Sequence, residues 1–336
     1  MKKILALVLM AALLLTAAVA SAELTAPVNL TFAAQEVGTA AYNYAAALQT
    51  VMMKTLPAGS TIDITTTSPG GVGAPIIVNG GAQCDIVVSN AAPAKWSYET
   101  GILGNEKTTE IASLGGGLGK DFVNILFTQK FVDETGIKTV EELVERKYPV
   151  KLIIKKDGTF GAMSAEKVLE CFGLTYDDIR SWGGVVEQTG GAAIKSGLQD
   201  DLYDMTIDHI GAGQANTTEL CMTHAMYDVQ MGEELMKKLY DMGYNYITVE
   251  PNTWNGQTET IYTVGSRQCV LVSSDMDEDL AYALTKGMCE GDNELAEQVA
   301  SMADFDPAIA GTLNMTGCPL HPGAARYYAE MGYPIE

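Results

Sequence analysis

Apolar positions along the chain come in two rhythms. Short runs rich in Val, Ile and Leu alternate with longer stretches in which apolar residues recur every three or four positions. Glycine-bearing turns separate the two. The runs read as strands and the periodic stretches as helices. Strands are expected at 29–34, 61–67, 84–89, 109–114, 123–129, 150–155, 185–188, 205–208 and 246–250, with a long apolar one at 261–274. Helices are expected at 40–54, 140–146, 164–172, 216–226, 233–242, 277–289, 294–302 and 323–331, with a short one after the turn at 68–73. The glycine-rich stretch 115–120 reads as a flexible break. Repeated strand–turn–helix units predict an α/β protein whose sheets are mainly parallel and flanked by helices. There is no internal repeat and no long linker. The length suits two lobes, and the long run at 261–274 is a candidate crossing between them.

One apolar run is different. Residues 4–19 are almost unbroken in hydrophobicity, follow Lys2 and Lys3, and end in Ala20-Ser21-Ala22. That is the pattern of a secretory signal peptide spanning 1–22. The run is too short for a membrane anchor, and no basic stop-transfer cluster follows it. Cleavage near Ala22 would leave Glu23 first; a residue other than Cys there argues against lipidation. The expected product is exported, periplasmic or extracytoplasmic, and not itself membrane-spanning. The remaining chain divides into an expected lobe I, 23–120 plus 265–336, and lobe II, 121–264.

Composition narrows the partners. The formal charge is −21, and −23 once Lys2 and Lys3 leave with the leader. A field of that sign repels phosphate backbones and anionic headgroups, so nucleic acid and membrane surfaces are excluded as natural partners. Hydrophobic residues at 47% supply a sizeable core. Cys84, Cys171, Cys221, Cys269, Cys289 and Cys318 form no C-x-x-C pair, which argues against a zinc or redox centre. Cys84 and Cys269 lie in apolar runs and should behave as small buried hydrophobes.

Three strand-to-helix turns carry the candidate chemistry. They are Glu36-Val37-Gly38-Thr39, Ser68-Pro69-Gly70-Gly71-Val72-Gly73, and Asp157-Gly158-Thr159-Phe160-Gly161-Ala162-Met163-Ser164. Glycine lets backbone approach a ligand, and the helix that follows turns unpaired N–H groups and its positive end toward the turn. Such turns suit a carboxylate or phosphate without an arginine. None has the Walker spacing or G-x-G-x-x-G, so a nucleotide site is not supported. No G-x-S-x-G elbow and no H-E-x-x-H occurs, so neither catalysis nor a metal or other cofactor is called for. His209 follows Asp208 at a strand end. His224 reads as a surface residue, and His321 before Pro322 as a turn holder. Trp254 lies in a polar loop where so large a ring is exposed unless it packs on a ligand or on the other lobe. Tyr42 starts the second turn of its helix and can reach back toward a cleft.

Pro319-Leu320-His321-Pro322-Gly323-Ala324-Ala325-Arg326-Tyr327-Tyr328-Ala329-Glu330-Met331-Gly332 is similar to the C-terminal signature of the TAXI-type solute-binding proteins of TRAP transporters. Val37-Gly38-Thr39 with Tyr42, Ser68 to Gly71 with Asn79-Gly80-Gly81 and Asp85, and Tyr282-Ala283-Leu284-Thr285-Lys286 extend the resemblance over the mature chain. Where that family shows Gly-Ser-Gly-Thr, this chain has Gly158-Thr159-Phe160-Gly161. Ala40-Ala41 stand where bulkier residues are common. Trp254-Asn255-Gly256-Gln257 falls where a Tyr-Pro-Gly loop is frequent. The resemblance implies a two-lobed, type II periplasmic-binding-protein-like fold closing on a small organic anion, such as glutamate or another carboxylate, and delivering it to TRAP membrane permease subunits. The ligand-binding set it implies is Gly38, Thr39, Tyr42, Ser68 and Gly70 from one lobe and Gly158, Thr159, Gly161, Ala162 and Met163 from the other, with Asp208 and Trp254. Two alternatives remain open at this point: a binding protein of an ATP-driven importer, and an exported hydrolase using Asp208 and His209 as a base pair.

Overall fold

The computed structural model describes residues 24–37 and 39–335. Residues 1–22, expected above to be a leader, and Gly38 lie outside them.

The strands are β1 (Asn29–Ala33), β2 (Thr61–Thr65), β3 (Ile86–Asn90), β4 (Ile111–Leu118), β5 (Phe122–Thr128), β6 (Lys151–Lys155), β7 (Val185–Thr189), β8 (Met205–Ile210), β9 (Met226–Asp228), β10 (Asn245–Val249), β11 (Ile261–Gly265) and β12 (Gln268–Ser273). They build two five-stranded sheets, in the orders β2-β1-β3-β12-β4 and β7-β6-β8-β5-β9, and a two-stranded ribbon of β10 and β11. Helices flank both sheets, giving the expected two-lobed α/β architecture. Each sheet is mainly parallel, as expected, with one antiparallel strand inserted in it. β1 runs parallel to β2 and β3, but β12 is antiparallel to β3 and β4. β6 runs parallel to β7 and β8, but β5 is antiparallel to β8 and β9. Strand–helix alternation could not disclose this, because the antiparallel strands are the ones that arrive from the other lobe.

Both faces of each sheet are covered, which explains the continuous apolar runs. Side chains alternate across a strand. Ile86 and Val88, with Val270 and Val272, enter a core with Phe32, Leu48, Met52 and Tyr328. Val87 and Leu271 point the other way, toward Ile77 and Cys84. In the second sheet Leu152 and Ile154 meet Val168, Ile207 and Tyr244. Ile153 faces Phe122, Leu198 and Trp254 instead. All six cysteines are free and buried, Cys84 and Cys269 among them as the apolar runs suggested. No helix of the described residues is long and apolar enough to cross a membrane.

The chain passes between the lobes at two adjacent places. β4 ends at Leu118 and β5 begins at Phe122; β11 ends at Gly265 and β12 begins at Gln268. The apolar run at 261–274 is thus two strands in different sheets, broken at Ser266-Arg267. The two crossings touch: a Cβ at Gly265 would collide with the carbonyl of Asp121. Arg267 straps the pair by donating from Nη1 to the carbonyls of Gly117 (3.3 Å) and Gly119 (3.2 Å). A third link is Trp96. It rises from the first-lobe helix Ala91–Glu99, donates its indole N–H to the Met242 carbonyl at 2.7 Å, and packs among Phe160 and Tyr244.

The stretch expected to be a break, 115–120, is mostly strand. Its glycines make room for a neighbour rather than for motion. Gly116 donates to the Ala310 carbonyl, and the Met315 carbonyl lies where a Gly116 side chain would be. Gly116→Ala should therefore lower stability by about 1–3 kcal/mol, the usual cost of overpacking. Urea denaturation should show a lower midpoint at unchanged slope; an unaltered midpoint would refute the close approach.

Candidate functional site

A cleft of about 350 Å³ opens between the lobes. The first lobe supplies Gln35, Ala40, Ala41, Gly70, Gly71, Ser89, Asn90 and Gln268. The second supplies Lys155, Gly158, Thr159, Phe160, Gly161, Asp208 and His209, with Asp121 at the crossing.

Two helices open on this cleft with the same N-terminal construction. In the first lobe Thr39 precedes helix Ala40–Met52. Its N–H and hydroxyl both donate to the Glu36 carbonyl, and its Oγ1 accepts from the Tyr42 N–H at 3.2 Å. In the second lobe Thr159 precedes helix Phe160–Glu170. Its N–H and hydroxyl both donate to the Lys156 carbonyl, and its Oγ1 accepts from the Ala162 N–H at 3.3 Å. The threonine uses up the third amide of each helix. Helix geometry leaves the N–H groups of Ala40 and Ala41, and of Phe160 and Gly161, without an intrahelical acceptor. Their residues line the cleft, so each lobe presents a small positive end to it.

The third glycine turn contributes less. Gly70 donates its N–H to Ser68 Oγ, and Gly73 and Ala74 donate theirs to the Gly70 carbonyl. Helix Ala74–Val78 is a single turn. What the turn supplies is close backbone: Gly70 is in the left-handed region at φ 100°, and Gly71 leaves room for Asn90 Oδ1.

Charge in the cleft is arranged around Lys155, whose Nζ lies 3.3 Å from Asp208 Oδ2. Burial pushes the Asp208 carboxyl above the usual range, against the pull of the Lys155 ammonium and of the His209 N–H that donates to Oδ1 at 2.8 Å. A Cβ at Gly161 would strike Asp208 Oδ1, so this glycine is what lets the carboxylate lie against the helix end. His209 Nε2 accepts the Ser266 N–H at 3.0 Å, and its ring packs on Phe160 with centroids 4.2 Å apart. Burial drives its pKa down to about 3. The imidazole is therefore neutral and committed as an acceptor to the crossing strand. Asp208 and His209 meet through a backbone amide rather than as the base pair considered above.

Of the residues expected to bind, the structure brings Gly70, Gly158, Thr159, Gly161 and Asp208 to the cleft wall. Thr39, Ser68 and Ala162 stand behind it as cap, turn acceptor and capped amide. Tyr42 packs against the first-lobe core, and Met163 sits a turn further along its helix. Trp254 is elsewhere. It is buried within its own lobe against Phe122, its loop held by the Thr253 N–H on Gln257 Oε1. The polar sequence around it concealed a core residue. Asp121, Gln268, Asn90 and Lys155 were missed. For Gln268 a signal existed: one amide inside an otherwise apolar run.

Residues 32–332 match the model of the NMT1-like family. The chain belongs to the NMT1-like family. Its fold is similar to that of a TctC solute-binding protein from Polaromonas, at 12% identity and TM-score 0.51 over 91% of this chain and 98% of that one. It is also similar to that of MatC from Rhodopseudomonas palustris with bound malate, at 12% identity and TM-score 0.51 over 90% and 99%. At these identities the likeness is one of fold.

A neutral buried histidine has a pH signature. Its folded pKa lies below the ordinary value near 6.5, so the unfolded chain binds the extra proton between about pH 6.5 and 3, and stability falls as pH falls through that window. The stability difference between wild type and His209→Gln should shift against wild type by up to about 1.4 kcal/mol per pH unit there. Chemical denaturation at several pH values checks this; a constant difference would show that His209 titrates normally.

Proposed function

We propose that this protein is the extracytoplasmic solute-binding subunit of a TAXI-type TRAP transporter, capturing a small organic anion and handing it to the membrane permease. The observation that carries the reading is the matched pair of threonine-capped helix ends opening from two sheets on one cleft. An anion between them would meet the free amides of Ala40 and Ala41 on one side and of Phe160 and Gly161 on the other, with the Lys155 ammonium beside them. Gly70, Gly158 and Thr159 would complete the contact. Lobes 23–120 plus 265–336 and 121–264 would close by bending at 119–121 and 265–267, a hinge motion in which both strands move together. The signal-like start supports export, and the C-terminal segment with its Arg326 and paired tyrosines supports the TAXI assignment. A carboxylate is also what the similarly folded MatC structure contains.

A ligand that binds only the folded chain raises its stability, by about 2.7 kcal/mol at a hundred times its dissociation constant. Thermal unfolding with a panel of small carboxylates and amino acids should therefore raise the melting temperature for some members. Ala41→Asp should abolish that gain while leaving the unliganded chain as stable or more so, because an acidic side chain suits the helix's first turn but repels an anion there. Stabilisation by no member of the panel, or equal stabilisation of Ala41→Asp, would overturn the reading.

A further inference from the structure

The second lobe encloses a space of its own. Every residue around it falls between 124 and 220, and Lys155 and Asp208, which border both this space and the cleft, stand between the two. Its volume is about 20 Å³. A cavity admits one water from about 10–15 Å³, so a metabolite is too large and a single atom-sized guest fits.

The floor is the face of the second sheet that carries Phe122, Leu126, Ile153 and Ile210, and strand alternation sets Asn124 among them. Asn124 is 6% exposed, and its amide, which borders the space, meets no hydrogen-bond partner among the described residues. A buried amide without a partner is costly. The roof is two helix starts, Gly191–Gln199 and Ala215–Thr223. Gly190 precedes the first and brings no side-chain cap, so the N–H groups of residues 191–193 lack acceptors within the helix. Gln214 precedes the second. Its Oε1 accepts the Thr217 N–H at 2.8 Å and the Thr217 hydroxyl at 3.0 Å, which leaves its Nε2 as a donor at the wall. Lys155 Nζ and Asn216 Nδ2 converge on one spot: a Cβ at Gly191 would lie 2.9 Å from each.

Donors therefore outnumber acceptors. The two carboxylates nearby are already held, Asp208 by Lys155 at 3.3 Å and Glu219 by Lys195 at 2.6 Å. A water would bring two protons that need acceptors of their own. A monatomic anion only accepts, and two converging helix starts favour its charge.

We propose that this space binds a halide ion of chloride size, held by the amide nitrogens of Asn124, Asn216 and Gln214 and by the start of helix Gly191–Gln199. The ion fixes both helix starts together with Lys155, so the second-lobe wall of the cleft depends on it. The site is independent of which solute the cleft takes.

Thermal unfolding of residues 23–336 in sodium chloride, sodium bromide and sodium gluconate at equal ionic strength tests it, gluconate being too large to enter. Bulk exclusion from the protein surface favours the large hydrated anion over the halides. A specific site reverses that order. Both halides should raise the melting temperature above that in gluconate by about 2 °C or more, and the gain should saturate with concentration. Asn124→Leu occupies similar space without donors. It should melt no lower than wild type in gluconate and show no halide gain. Crystals of wild type grown in bromide should show anomalous density against Asn124 Nδ2. Wild-type melting temperatures that are equal in the three salts or highest in gluconate would overturn the site. So would a halide gain undiminished in Asn124→Leu, or bromide at surface positions only, as an adventitious ion. The salt order and the bromide position are both read on wild type, so a variant that misfolds leaves the test intact.

Discussion

Two short crossings pressed against each other govern the rest of this molecule. Gly265 lies so close to the Asp121 backbone that neither can move without the other, and Arg267 ties both to the carbonyls that end β4. Everything on the cleft wall that comes from the second lobe, including Lys155, Asp208 and the Thr159 helix end, is positioned relative to the first lobe through this contact, through Trp96 and through Asn245, whose Nδ2 donates to the Asn314 carbonyl. The crossing is thus both joint and floor. Its backbone sets where the lobes sit, and its residues Asp121 and Gln268 line the space between them.

The cleft itself is built from amides and from charges that are mostly spent. The threonine caps hold the helix starts in register while consuming only one amide each, so the outermost N–H groups stay available. Lys155 and Asp208 balance each other, and His209 is kept neutral by burial while it accepts from the crossing strand. A site of this kind distinguishes solutes by where their few charges fall, rather than by one dominant ion pair.

Much of this was legible in the residues. The runs at 29–34 and 150–155 became β1 and β6 because their alternate side chains enter cores on both faces, so every position could be apolar. The turn before Ala40 disclosed its helix start, whereas the second helix was expected from Ser164 and begins four residues earlier, at Phe160, behind the Thr159 cap. Long-range packing was not legible. Glycines at 115–117 signal freedom when read alone, whereas here they admit the Met315 backbone. The polar neighbours of Trp254 suggested exposure, yet its ring lies against Phe122. Asp121 was passed over because nothing local says that Gln268, far along the chain, comes to donate to its carboxylate.

The six cysteines carry a last consequence. Each is sealed in a core, and burial lifts their thiols to about 11 or higher, so the reactive thiolate is scarcely formed in the folded chain. The native protein is therefore indifferent to whether its surroundings oxidise or reduce. Sulfur chemistry becomes a hazard only while the polypeptide is still unfolded, which makes speed of folding, rather than cross-linking, its safeguard against mispaired bridges.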